Sequence, residues 1–539
     1  MPKRAIWVML LVLLLVVLPY VIAALAGGEE HVFGGFLLNP QDGASYLAKM
    51  YQGRRGDVRF SLPFTSDPGE GGYLFLFYLF LGHLARWTGL PLIWVFHLAR
   101  LFGAVCMFFA LWRFLSATVT SERWRLWAFT LASLGLGMGW LVFATGVLTS
   151  DFWVAEAYPF LSAYTTPHFP LSLALLLYLL TLPAAISQGA TPRWLDAWKL
   201  GVAAFLLSLV SPFGIVIALL VLGGLLLWEI AAQAALSRGQ GNERLALARL
   251  VWNSAISQRL IYSLAWILIC GMPMLVYDLW IARLDPQLAA WNAQNLTLTP
   301  PVWDVLLALS PVLLLALPGA WRVVSYQRRA ARLLLVWVIA GAIMVYAPFG
   351  LQRRFLMGLY VPLAGLAGYG LETLEARFSL TAARRIAVLT LVLTLPTLLL
   401  SLVIGLFGVQ TRDPAFYLTR GEAQALAWLE GNTPGDTLVL AAPETGLLIP
   451  AYTGRRVLYG HPYETVNAEE EKAQVLKFFQ GDISSPTGLL EQRGVSYIFY
   501  GPRERELGAL PAQIDLQPVY DTELPGDSRV VIYRIAGAE

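Results

Sequence analysis

The chain has 539 residues, of which 57% are hydrophobic and only 14% charged, with a formal net charge of +3. That length could hold several water-soluble domains, but most of it is apolar, and so small an excess of positive charge gives nucleic acid no electrostatic footprint. Both cysteines, Cys106 and Cys270, lie inside apolar runs, so neither a disulfide framework nor a zinc-type Cys/His cluster is expected.

The first apolar run, 6–26, follows Lys3 and Arg4. Ala24-Leu25-Ala26 fits a signal-peptide cleavage site, but the run exceeds the ~7–15-residue core of a signal peptide and matches the ~20 residues a span needs. An uncleaved first span is therefore expected. Further apolar runs at 93–117, 125–147, 170–187, 198–210, 213–233, 260–281, 303–320, 333–349, 355–372 and 386–408 bring the expectation to about eleven transmembrane helices. Pro212 in Ser211-Pro212-Phe213-Gly214 separates the fifth from the sixth.

Basic residues alternate with these runs. Arg123 and Arg125, Arg193 and Lys199, then Arg238, Arg244, Arg249 and Arg259 occupy one set of loops. Arg322, Arg328, Arg329 and Arg332, then Arg377, Arg384 and Arg385, continue the set. The intervening loops at 148–169 and 211–213 hold no Lys or Arg, and 282–302 holds only Arg283. The positive-inside rule then puts the N-terminus in the cytoplasm and the C-terminal region outside an inner, plasma membrane. For the alternation to hold, the apolar stretch 72–87, with His83 and Arg86, must lie along the outer interface rather than span.

Beyond residue 408 polar residues, Gly and Pro become frequent. Gly421–Glu430, 466–480 and 487–493 read as helices, and Thr437–Ala441, Tyr497–Tyr500 and Val530–Ile535 as strands. The expected organisation is a membrane module, 1–408, followed by a small extracytoplasmic α/β domain, 409–539.

Candidate chemistry falls in the outer loops. Asp42, Tyr46 and Lys49 would share one face of a helix. Asp42 serves there as a general base, as a ligand for a divalent cation, or as a helix cap, and spacing alone leaves these open. The loop Ser150–Tyr158 is acidic and aromatic and runs on to His168. In it Asp151 and Glu156 are candidate acids, Tyr158 and His168 candidate lining residues, and the aromatics ordinary interfacial anchors. Arg353 and Arg354 stand out because the alternation places them on the outer side. Paired guanidinium groups there suit an anion such as a lipid phosphate, since Arg binds phosphate oxygens bidentately. His461 and Glu464 read as an isolated, solvated pair.

Taken in order, these features resemble the GT-C superfamily of membrane glycosyltransferases, of the protein-mannosyltransferase and aminoarabinose-transferase kind. The likeness rests on an N-terminal span followed by Asp42 in a long outer loop, the interfacial stretch 72–87, and Arg100 early in the next span. It continues with the acidic loop from Asp151 to Glu156, Arg353 and Arg354 before a span containing Pro362, and a C-terminal α/β domain with Ala427-Trp428-Leu429 leading into a strand. The resemblance implies inverting transfer of a sugar from a polyprenyl-phosphate donor in the bilayer to an acceptor of unidentified chemistry. By that resemblance Arg353 and Arg354 hold the donor phosphate and Asp42 deprotonates the acceptor. Glu156 or Asp151 places the acceptor or, with Asp42, binds a cation such as Mg or Mn, and all of them line one outward-facing cavity. Family members often pair two acids where Asp42 stands alone. A transporter or flippase of a lipid-linked substrate, with Arg100, Arg113, Glu229 and Asp278 along its path, and an inactive scaffold of the same fold are the competing readings.

Overall fold

The computed structural model describes residues 1–184, 194–237, 254–326, 329–524 and 528–536. Arg193, Arg238, Arg244, Arg249 and Arg328, and the end of the fourth apolar run at 185–187, lie outside them. The described residues are mostly helical, and six helices are long and apolar enough to cross a membrane, or seven if one bent pair counts as a single span. The chain is an integral membrane protein. Several of the expected eleven spans are shorter apolar helices: His168–Thr181, Trp198–Val210 and Ala330–Met344.

Two expected spans are broken. The run 125–147 is a helix over Glu122–Leu134 and a single turn over Trp140–Phe143. Between them the backbone meets a neighbouring segment so closely that a Cβ on Gly137 would sit 2.0 Å from the Ala308 carbonyl oxygen. The non-helical groups are satisfied from the side: Met138 N–H donates to the Leu307 carbonyl at 3.2 Å and Tyr360 Oη to the Leu136 carbonyl at 2.9 Å. The run 303–320 is likewise two helices, Val302–Leu309 and Val312–Ser325, at 80° to each other. The break falls at Ser310-Pro311, where proline has no N–H to continue the ladder.

The chain divides into two compact units. The first comprises 1–18, 99–277 and 297–404, and the second 19–98, 278–296 and 405–539. In the first unit the helix Tyr360–Arg377 is buried on every side from Tyr360 to Leu371. Its small residues (Ala364, Gly365, Ala367, Gly368, Gly370) let neighbouring backbones approach, as in packed membrane helices. This helix anchors the short 3₁₀ turn Gln352–Leu356 that carries Arg353 and Arg354.

The second unit contains the α/β fold read from the C-terminal sequence, with additions from earlier in the chain. A five-stranded sheet has the order β4-β3-β5-β7-β6, with β3 at Leu438–Leu440, β4 at Arg456–Val457, β5 at Tyr497–Tyr500, β6 at Leu516–Asp521 and β7 at Val531–Ile535. Strand β3 runs parallel to β4 and β5, and β7 antiparallel to β5 and β6. Alternation along β3 sends Val439 to one apolar core and Leu438 and Leu440 to the other. The first core also takes in Ala48 and Phe64 from the N-terminal part of the chain. A separate antiparallel pair joins β1, His31–Phe33, to β2, Tyr417–Thr419.

The stretch expected at the interface forms a 13-residue helix, Leu76–Thr88. At ~1.5 Å per residue it extends ~20 Å, short of the ~30 Å hydrocarbon core. It packs tightly on the helix Pro40–Arg55: a Cβ on Gly82 would come within 1.9 Å of the Met50 carbonyl oxygen.

Candidate functional site

Asp42 lies in the first turn of the helix Pro40–Arg55, a position favoured for a carboxylate by the helix dipole. The N-cap is Asn39, which makes no side-chain cap hydrogen bond. The helix turns one face toward the loop after β4. On that face Lys49, fully buried, donates from Nζ to Ser45 Oγ at 2.6 Å and to Glu464 Oε1 at 2.7 Å. Ser45 Oγ donates to the same carboxylate oxygen at 3.1 Å. The Lys49 ammonium also lies over the rings of Phe75 at 4.3 Å, Tyr46 at 5.4 Å and Phe60 at 5.6 Å. Tyr46 is stacked on Tyr78 with ring centroids 4.3 Å apart.

His461 and Glu464 are not a solvated pair. His461 is 2% exposed, and its Nε2 lies 4.0 Å from Asp42 Oδ1. The Asp42 side chain is about half exposed. Burial pushes the imidazole below its ordinary pKa, against the pull of the Glu464 and Asp42 carboxylates. Burial alone would raise the Glu464 carboxyl, but the Lys49 charge and the hydrogen bonds from Lys49 and Ser45 outweigh it and hold Glu464 below its usual value.

This buried pair sets a stability expectation. Lys49→Met leaves the Glu464 charge without its partner and should destabilise the protein by about 3–5 kcal/mol, read as a lower thermal midpoint. Adding Glu464→Gln should recover part of the loss. Because folding depresses the Glu464 pKa, its contribution is complete above the unfolded value near ~4.3 and is lost as pH falls through the lower folded value. The double variant should show less acid destabilisation in that window. Equal acid sensitivity would remove the pair from the stability account.

The second group of candidates lies in the first unit. Arg354 Nη1 is 3.4 Å from Glu156 Oε1, with the Arg354 side chain 31% exposed and that of Glu156 5% exposed. The Arg353 guanidinium carbon lies 4.9 Å from the centroid of the Trp153 ring, a cation–π contact. The arginine turn is stitched in place by its backbone: Arg353 N–H donates to the Thr297 carbonyl at 3.1 Å, and Gly358 N–H to the Glu156 carbonyl at 2.9 Å.

The remaining candidates are built into the scaffold. Asp151 is fully buried and accepts from Gly139 N–H at 2.9 Å and Thr149 Oγ1 at 2.6 Å. Burial still pushes its carboxyl above the usual range. Tyr158 is buried with its hydroxyl on the Ala308 carbonyl at 2.7 Å. His168 opens its helix with Nδ1 3.2 Å from Thr166 Oγ1. Arg100 is buried and donates to the carbonyls of Ala163 and Tyr164 at 2.9 and 3.0 Å, and Glu229 pairs with Arg332 at 2.7 Å.

Among the described residues no three His, Cys, Asp or Glu side chains form a metal-binding group. The Glu156 carboxylate faces the Arg354 guanidinium rather than a second carboxylate.

No family model matches the chain, and no curated protein matches its sequence. Its fold does have solved counterparts. The archaeal oligosaccharyltransferase AglB from Archaeoglobus fulgidus, in complex with an inhibitory peptide and a dolichol-phosphate, is 13% identical with a TM-score of 0.56. The match covers 93% of this chain and 70% of AglB. The chain has a GT-C-type fold. ArnT from Cupriavidus metallidurans, bound to undecaprenyl phosphate, matches at 13% identity and a TM-score of 0.50 over 97% of this chain and 98% of its own. Arabinofuranosyltransferase AftD from Mycobacteria matches at 16% identity and a TM-score of 0.50, over 99% of this chain and 40% of AftD. At these identities the likeness is one of fold.

Proposed function

We propose that this chain is an inverting membrane glycosyltransferase that moves a sugar from a polyprenyl-phosphate donor to a hydroxyl-bearing acceptor on the outer face of the plasma membrane. The N-terminus is then cytoplasmic and the C-terminal sheet extracytoplasmic. The observation that carries this reading is the arginine turn. Two consecutive guanidinium groups sit on a short, backbone-stitched 3₁₀ segment, in a fold whose AglB and ArnT examples were solved with polyprenyl phosphates.

In this reaction the acceptor oxygen attacks the anomeric carbon as the bond from that carbon to the phosphate oxygen breaks. The acceptor proton passes to Asp42, the base. The polyprenyl phosphate departs with its electron pair, and Arg353 and Arg354 neutralise the charge that develops on it. Glu156 holds the Arg354 fork in one orientation. Asp151 is assigned no chemical step, because its oxygens are already bonded to Gly139 and Thr149.

Proteoliposomes containing the full chain should transfer radiolabelled sugar from one of a panel of polyprenyl-phosphate sugars to a water-soluble acceptor pool. Movement of intact labelled donor across the bilayer without transfer would replace this reading with transport. Neither transfer nor movement across the panel would leave the inactive-scaffold reading.

A further inference from the structure

The loop after β4 is far from Asp42 in sequence, yet it presents a buried imidazole to that carboxylate. Two backbone donors determine the proton placement on the ring. Tyr463 N–H and Glu464 N–H both point at His461 Nδ1, at 3.1 and 3.2 Å. A nitrogen that accepts hydrogen bonds bears no proton, so the neutral ring carries its proton on Nε2. Nε2 is buried and has no hydrogen-bond partner among the described residues, and it faces Asp42 Oδ1 at 4.0 Å.

From this geometry we propose that His461 is a positioning residue for Asp42. Its Nε2–H is held in one tautomer and aimed at the carboxylate, so that a small rotation of the half-exposed Asp42 side chain completes a charge-assisted hydrogen bond. The inference rests on Asp42 being the base of the proposed transfer. The groups facing the ring are Asp42 and Lys49 from the helix Pro40–Arg55 and Glu464 from its own loop, with the Phe64 and Tyr463 rings beside it. Burial disfavours the charged ring, and the Lys49 ammonium, 2.7 Å from Glu464, opposes the pull of the Glu464 and Asp42 carboxylates on it. A neutral His461 donates to Asp42 without adding a cation that would hold the acceptor proton back from it. The same tautomer leaves Nε2 with no lone pair for a metal, so His461 orients Asp42 and is not a cation ligand.

The inference makes Asp42 more acidic than an otherwise similar exposed carboxylate, because the donor stabilises the ionised form. A carbodiimide reacts with the protonated carboxyl, so its rate at Asp42 reports that balance directly, without any sugar donor. The full chain in detergent is labelled near pH ~6, within the range over which perturbed carboxyls titrate, and Asp42 modification is followed by peptide mass spectrometry with Asp57 as internal reference. His461→Leu and His461→Asn remove or withdraw the donor. Relative to Asp57, each should speed Asp42 labelling about 3- to 10-fold, since one pKa unit is tenfold. His461→Gln, whose amide reaches further, should stay within about twofold of wild type by the same measure.

Labelling of Asp42 that matches wild type in both His461→Leu and His461→Asn overturns the inference. So does acceleration at Asp42 and Asp57 alike, which marks general loosening. In the transfer assay, the same two variants should lower kcat with little change in donor KM, and His461→Gln should restore part of the rate. Altered labelling alongside wild-type protein that transfers no sugar refutes the proposed function and leaves the contact standing. Unchanged labelling in an active enzyme refutes only the contact.

Discussion

Asp42→Asn is expected to lower the rate of sugar transfer about 10²- to 10⁴-fold, the usual contribution of a positioned general base. The substitution is nearly isosteric, and the side chain is about half exposed, so no cavity opens and no buried charge is stranded. The helix Pro40–Arg55 keeps its buried face, so thermal stability should stay near wild type. The loss should appear in kcat with donor KM unchanged, because a base that acts on the acceptor proton works mainly in the transition state. A variant that turns over at the wild-type rate would take Asp42 out of the mechanism and leave the proton to solvent.

Arg354→Ala is expected to cost about 10²- to 10³-fold in kcat/KM, comparable with removing one preorganised donor from a developing oxyanion. Part of that effect would come from Glu156, which is 4% exposed and loses its cationic partner. Two companion variants separate the contributions. Arg354→Lys keeps the charge but not the planar fork, and should recover only a fraction of the activity. Arg354→Ala combined with Glu156→Gln should regain thermal stability but not transfer. Arg353→Ala should be milder, because that guanidinium already lies over the Trp153 ring. Full activity in Arg354→Ala would move the donor phosphate elsewhere.

Much of this architecture was legible in the sequence because its signals are local. Most long apolar runs fold as helices from their own composition, and Tyr497–Tyr500 was read residue for residue as it folds. The strands near 437 and 530 were read to within a residue or two. What escaped depended on partners distant in the chain. The helix break at Gly137 exists because another backbone passes 2.0 Å from where its Cβ would be, and nothing near residue 137 announces that neighbour. Strand β4 is two residues long and owes its form to pairing with β3. His461 and Glu464 looked solvated because their companion Lys49 lies more than four hundred positions earlier, 415 for Glu464. The one usable hint was Lys49 itself, a cation that, once buried, demands an anion from somewhere.

The first apolar core of the second unit is assembled from distant parts of the chain, with Ala48 and Phe64 among Val439, Ile449 and Phe499, and β2 has its edge closed by β1. A fragment cut at the compositional boundary would therefore be an incomplete body. Residues 409–539 expressed alone would leave the seats of Ala48 and Phe64 open to water and a strand edge bare, both invitations to self-association. Any water-soluble version of this region for crystallography or antibody work would have to graft back the segment from His31 to about residue 66. Evolution would face the same tether: the C-terminal region could not be exchanged as a cassette without bringing along the N-terminal segment that carries Ala48 and Phe64.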